Sequence, residues 1–327
     1  MDTIKRHPTI AFFLLTYAFS WTLWGTCTRA YQGGNVFALP GIMFGIFGPG
    51  LISVLLSAAV EPGSRVGRQA RGIVSFAFVV TWVVATALIT FDQILNEGRS
   101  EVVPAVLASA AAALAPALVV ASVFSTVPGV KRHLHTLVVP RGPAGYYLLA
   151  LVLFIGIWTL GSALTRTLGL QVPVRTYPHA ATRIGLVGAV ALTFLYTALP
   201  NALSEEVGWR GFALPRLQAR HSPLVASIIL WVFWALWHAP AYLGGFEARS
   251  VEETVVEWAL MLPVAIMFTW FYNRAEGSIL VTAILHPAMN TATRYLPVTL
   301  GGVLLILLIT AGAVVRDRMW HLEQRYR

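Results

Sequence analysis

The sequence predicts an all-α fold, a polytopic membrane bundle of about 8–10 transmembrane helices, and three observations carry that expectation. Of 327 residues, 57% are hydrophobic and only 11% charged, against roughly 25% charged in a typical soluble domain. Runs such as 10–27 and 301–315 contain no charge, as expected of bilayer-crossing helices. The remaining charges fall in short loops whose sign alternates along the chain.

The elements follow in order. Lys5 and Arg6 precede the first apolar run, 9–27, as in a signal peptide. No small-residue cleavage site follows, so the run reads as a retained anchor. The second span, 37–60, contains Gly41, Gly45, Gly48 and Gly50, small residues that let helix backbones approach closely. The third is 72–91. The fourth, 102–125, includes "ASAAAALAPALVVAS", which offers the same kind of contact, and Pro116 predicts a kink there. Spans at 145–167, 184–203, 223–243, 254–272, 278–294 and 297–315 complete a set of ten.

Lys5, Arg6, Arg65, Arg68, Arg71, Lys131, Arg132, Arg141, Arg216, Arg220, Arg274, Arg316 and Arg318 fall on one side of this topology. Asp92, Glu97, Glu101, Glu247, Glu252 and Glu253 fall on the other, where Arg175 and Arg183 are the exceptions. Positive loops stay in the cytoplasm, so both termini of this integral membrane protein are expected there. The net charge of +9 serves orientation on this reading, and no nucleic acid is expected. A single cysteine, Cys27, excludes an internal disulfide framework and a cysteine-rich metal site.

Three polar clusters interrupt the apolar pattern, all in the second half: "EEVGWR" at 205–210, "WALWH" at 234–238 and "HPAMN" at 286–290. On an α-helix Glu206 and Arg210 are i and i+4, share a face and can pair, while Glu205 points about 100° away. One glutamate thus reads as structural and the other as free to act. Ser222 is a plausible N-cap with Pro223 at the first helical position. Glu205 and His238 lie at nearly equal separation from that turn, about 24 Å along an antiparallel pair at 1.5 Å per residue, so they can face each other. His286 and Asn290 are again i and i+4, with Pro287 implying a bend or a break just before it.

A glutamate and a histidine can hold and deprotonate water, and a second histidine with an asparagine can donate to a developing oxyanion. Glu205, His238 and His286 could instead hold zinc; the residues leave both options open. Plainer readings exist for each piece. A lone intramembrane histidine is often only hydrogen-bonded inside the bundle. Glu206–Arg210 reads as structural, and Trp209, Trp231, Trp234 and Trp237 as packing or interface aromatics. His133 and His135 in "KRHLHT" read as a solvated basic loop rather than a metal pair. Co-occurrence on neighbouring spans lifts the three clusters above these readings.

Together the three clusters resemble the motifs EExxxR, FxxxH and HxxxN of the CAAX prenyl protease and bacteriocin-processing (CPBP, or Abi) intramembrane proteases, over roughly residues 200–292. Trp234 stands where that pattern has phenylalanine, and Phe233 adjoins it. The resemblance implies an intramembrane endopeptidase acting in or near the cytoplasmic half of the bilayer. It implies Glu205 and His238 as the pair activating water, His286 and Asn290 as oxyanion stabilisers, and Glu206, Arg210 and Trp234 in support. It implies a peptide or protein substrate, lipidated where CAAX-type C-terminal processing applies, and zinc or no cofactor. Residues 1–180 are then accessory transmembrane helices, 181–315 the protease core and 316–327 a cytoplasmic tail. The alternatives are a non-enzymatic membrane immunity or scaffold protein that binds a peptide, and a small-solute transporter.

Overall fold

The computed structural model describes residues 2–62, 68–175 and 177–322. Helix α1 (Asp2–Arg6) leads into α2 (Pro8–Gln32), where Pro8 takes the first helical position. A 3₁₀ turn (Val36–Ala38), capped by Asn35, opens α3 (Leu39–Ile46), and α4 (Gly48–Val60) follows. Then come α5 (Arg68–Leu95), α6 (Val102–Ala112), α7 (Leu114–Val123), α8 (Pro128–Val138) and α9 (Gly145–Thr167). The second half holds α10 (Ala180–Pro200), a π-helix (Asn201–Ala213), α11 (Leu214–Gln218), α12 (Pro223–Trp237) and α13 (Ala239–Tyr242). It ends with α14 (Val251–Arg274), α15 (Ile279–Tyr295) and α16 (Leu300–Arg316). The described residues are helices and connectors without a strand, an all-α membrane bundle.

Among the described residues seven helices are long and apolar enough to cross a membrane. The pair 36–46 and 48–60, bent by 50°, makes an eighth if counted as one span. The expected ninth and tenth spans are helices of 17 residues each. The expected fourth span breaks at Ala113, between α6 and α7. Pro116 lacks an N–H and crowds the carbonyl four residues back, which is that of Ala112. Helix α15 instead runs unbroken through Pro287.

Local signals explain the helix ends near the site. Ser222 accepts from the Val225 amide at 3.4 Å, with Pro223 at the first position of α12. Ser250 and Glu253 form a reciprocal capping box at the start of α14, which satisfies two otherwise orphaned amides.

Packing runs as a chain toward the π-helix. Helix α16 lies on α9, α9 on α15, α15 on the π-helix, the π-helix on α4, and α4 on α2. Glycine makes the contact between α4 and the π-helix possible. A Cβ on Gly50 would fall 2.7 Å from the Leu203 carbonyl, and one on Gly208 would fall 2.6–2.7 Å from Pro49.

The loop charges sort onto two ends. At one, Tyr31 donates to Glu97, Gln32 donates to the Gly245 carbonyl, and Arg249 lies between Glu247 and Glu257. Arg175 donates here to the carbonyls of Thr293 and Leu296 at the end of α15, which accounts for a cation on the acidic side. At the other end Arg132 pairs with Glu61 and Arg274 with Asp317. Arg65, and residues 323–327 of the expected tail, lie outside the described residues. His133 is not in a solvated loop. It sits on amphipathic α8, half-buried, 3.1 Å from Ser53 Oγ and edge-on to Phe212, while His135 is exposed.

Candidate functional site

The segment carrying Glu205, Glu206 and Arg210 is a π-helix bracketed by Pro200 and Pro215, where the sequence suggests an α-helix. Such i→i+5 stretches are rare and concentrate at functional sites. The i, i+4 pairing survives: Arg210 Nη1 donates to Glu206 Oε1 at 3.0 Å, and both side chains are fully buried. The guanidinium lies between two rings, 4.4 Å from the centre of Trp234 and 4.6 Å from that of Phe268. A desolvated cation held this way gains about 2 kcal/mol or more per aromatic face, which offsets part of its burial cost.

Glu206 reaches a second partner. His286 Nδ1 is 2.7 Å from the same Oε1, so the third cluster is tied to the first through one carboxylate oxygen. The Arg210 charge keeps Glu206 an acceptor, and Nδ1 of His286 is then the donor. Trp234 and Phe268 both present edges or faces to the His286 ring, at 5.6 and 5.3 Å between centres.

Glu205 points elsewhere, as the spacing suggests. Its Oε2 accepts from Trp234 Nε1 at 2.6 Å. No hydrogen bond or ion pair among the described residues joins Glu205 directly to His238. Trp234 stands between them, donating to Glu205 through its indole while its carbonyl accepts from His238 Nδ1 at 2.8 Å. Glu205 therefore meets residue 234, one α-turn nearer the hairpin than the expected 238. The π-helix supplies the reason: more residues per turn means less advance per residue, so Glu205 reaches less far than the α-helical count implies.

The position of His238 follows from how α12 ends. The His238 amide bonds to the Ala235 carbonyl, a tightened turn that leaves the Trp234 carbonyl without its usual i+4 partner. The imidazole takes that carbonyl itself, a C-terminal cap made by a side chain. Since a carbonyl only accepts, Nδ1 carries the proton and Nε2 of the neutral ring keeps its lone pair. Tyr242 stacks on the ring at 5.1 Å and Trp237 meets it edge-on at 4.8 Å.

Asn290, on the same face of α15 as His286, is half-buried, and no hydrogen bond to a described residue engages its amide. The structure thus joins Glu205, Glu206, Arg210, Trp234, His238 and His286 in one network, with Asn290 one turn further along α15. Sequence reasoning missed Phe268, which lies outside every motif. It also missed Tyr242, although its i, i+4 spacing from His238 was a usable signal.

Among the described residues no three or more His, Cys, Asp or Glu side chains are arranged to hold a metal ion. The bonding engages Oε2 of Glu205 and Nδ1 of both histidines, and leaves Oε1 of Glu205 and Nε2 of His238 and His286 without a hydrogen bond among the described residues.

The cluster spans the middle of the bundle, with His286 the eighth of the 17 residues of α15 and His238 toward the acidic end. Helix α12 starts at the basic end and rises about 22 Å over its 15 residues before His238, and Arg249 lies over the Tyr242 ring at 4.4 Å.

Residues 187–292 match the family model described as "Type II CAAX prenyl endopeptidase Rce1-like", a span that contains all three clusters. A relative named CAAX prenyl protease 2, from Methanococcus maripaludis, is 29% identical over 140 residues. The match covers 40% of this chain and 52% of the relative, so this chain spans about half the length of the protein it resembles.

Proposed function

We propose that this chain, whose residues 187–292 match the type II CAAX prenyl endopeptidase model, is an intramembrane endopeptidase of that family in which Glu205 and His238 activate water. The observation that supports this reading best is the Trp234 bridge, which fixes one oxygen of Glu205 and one nitrogen of His238 and leaves the other atom of each for a ligand.

A water placed between them donates one hydrogen to Glu205 Oε1 and the other to His238 Nε2, both of which are acceptors. Its lone pair is then directed at the scissile carbonyl. Glu205 takes the proton as the oxygen attacks and returns it to the leaving amine, the general base and acid roles worth about 10²–10⁴-fold. Asn290 Nδ2 is the ready donor to the oxyanion. His286 already donates from Nδ1 to Glu206, so it donates to the oxyanion only when doubly protonated. Glu206 and Arg210 hold that ring in place.

The substrate class follows from the family and from the name of the relative: a C-terminal peptide carrying a prenyl group, with CAAX-type processing as the reaction. On this reading the basic loops and both termini lie in the cytoplasm. Single cysteines at 98 and 220 in a Cys27→Ser background test this orientation, with impermeant label expected from outside at 98 only.

Fluorogenic prenylated and unprenylated peptides, given to the purified protein, test the activity. Cleavage is expected for the prenylated peptide and is lost in Glu205→Ala and His238→Ala. Full cleavage by both variants would remove the mechanism, and tight peptide binding without turnover would favour the scaffold reading. Activity is expected to survive a zinc chelator. Loss on chelation with recovery on zinc addition would instead make Glu205, His238 and His286 metal ligands.

A further inference from the structure

At the basic end, separate from the Glu205–Trp234–His238 network, a cavity of about 460 Å³ opens between the start of α2, α11 with the turn that follows it, and Ile229 and Phe233 of α12. Its rim is cationic, formed by Arg6, Arg216 and Arg220 with His7 and His221. No acidic side chain lines it among the described residues, and none of the three arginines has an ion-pair partner among them. Arg216 is held in place, stacked 3.6 Å over Phe212 and donating to the Phe212 carbonyl at 2.7 Å. The floor is apolar: Phe13 and Phe233 stack at 3.9 Å with 10° between their planes, and Ile229 lies beside them. From the mouth an exposed aliphatic stripe runs away along both helices through Ile10, Leu14, Val225, Ile228 and Val232.

We propose that this cavity binds one anionic phospholipid, its phosphate among Arg6, Arg216 and Arg220 and its acyl chains along the α2–α12 stripe. The shared chemistry is a phosphate monoanion met by planar guanidinium donors. The apolar floor and its continuation select a lipid over free phosphate, since a small hydrated anion gains nothing from Phe13, Ile229 or Phe233. Basic pockets between transmembrane helices, placed at headgroup depth, are the expected form of such a site. The proposal stands independently of the peptidase reading.

Native mass spectrometry of the purified full-length chain, titrated separately with phosphatidylglycerol, phosphatidylcholine and inorganic phosphate, tests it. The parent protein should retain one phosphatidylglycerol at least roughly tenfold more tightly than phosphatidylcholine. The double variant Arg6→Gln, Arg220→Gln should lose that preference while keeping its melting temperature in phosphatidylcholine. Ile229→Trp, which fills the floor and leaves every charge in place, should also weaken phosphatidylglycerol binding. Equal retention of both lipids by the parent, or undiminished phosphatidylglycerol binding by both variants, would overturn the proposal. Inorganic phosphate that binds alone and displaces the lipid would make this a phosphate site and would overturn it as well.

Discussion

His286 Nδ1 lies 2.7 Å from Glu206 Oε1, and that oxygen also accepts from Arg210 at 3.0 Å. One carboxylate thus orders two helices and neutralises a fully buried guanidinium, while its neighbour Glu205 bonds only to the Trp234 indole among the described residues. The two glutamates should separate on mutation. Glu206→Ala leaves Arg210 buried without its counter-charge, which costs about 3–5 kcal/mol and should appear as a large drop in thermal midpoint, with activity lost alongside. Glu205→Gln keeps an acceptor for Trp234. It should stay within about 1 kcal/mol of the parent while turnover falls roughly 10²–10⁴-fold. A Glu206→Ala protein as stable as the parent would refute the division of labour.

Much of this arrangement was legible in the sequence. The i, i+4 pair, the Ser222–Pro223 start of α12 and the apolar spans needed only spacing and capping rules. Two things were not legible. The π-helix has no local signature in "NALSEEVGWRGFA" that distinguishes it from an α-helix. It depends on tertiary contacts, among them the approach of Pro49 and Ser204 made possible by Gly208 and Gly50. Phe268 is one apolar residue among many on α14, and only the folded bundle shows that it covers Arg210. Both omissions concern long-range packing, which periodicity within one helix does not encode.

Trp234→Phe removes one donor and keeps a ring over Arg210. The lost N–H leaves Glu205 Oε2 without its bond, at a cost of about 1–3 kcal/mol. The Trp234 carbonyl that orients His238 belongs to the backbone and is untouched. Peptide cleavage should therefore persist within roughly tenfold of the parent, with a lower melting temperature. A Trp234→Leu variant, which also removes the aromatic face, should melt lower still. If Trp234→Phe abolished cleavage at unchanged stability, the indole would belong to the chemistry rather than to the support of Glu205.

Gly208→Ala tests whether the close contact between α4 and the π-helix holds the glutamates in position. The added methyl would meet the Pro49 ring and backbone at 2.6–2.7 Å, and backbone cannot swing aside as a flexible side chain can. Overpacking of this kind costs about 1–3 kcal/mol. Gly156→Ala on α9, with nothing within 4 Å of the new methyl, is the control and should be neutral or stabilising by up to about 1 kcal/mol. Equal melting temperatures for the two variants would show that the π-helix does not depend on this contact.

Burial, reinforced by the Arg216 charge and opposed by the Gly211 carbonyl, pushes the His133 imidazole down to about 3. In the unfolded chain it titrates near 6.5. Between those values the unfolded state binds a proton that the folded state refuses, so stability rises with pH across the window and falls on acidification. The stabilising difference is complete above about pH 6.5 and is lost progressively toward pH 3. His133→Asn cannot titrate and still offers Ser53 a hydrogen bond. Melting temperatures of parent and variant, followed from pH 7.5 to 4, should show a steeper decline in the parent beginning near pH 6.5. Parallel curves would mean that His133 accepts its proton in the folded protein and that α8 is looser against Ser53 and Phe212 than the contacts indicate.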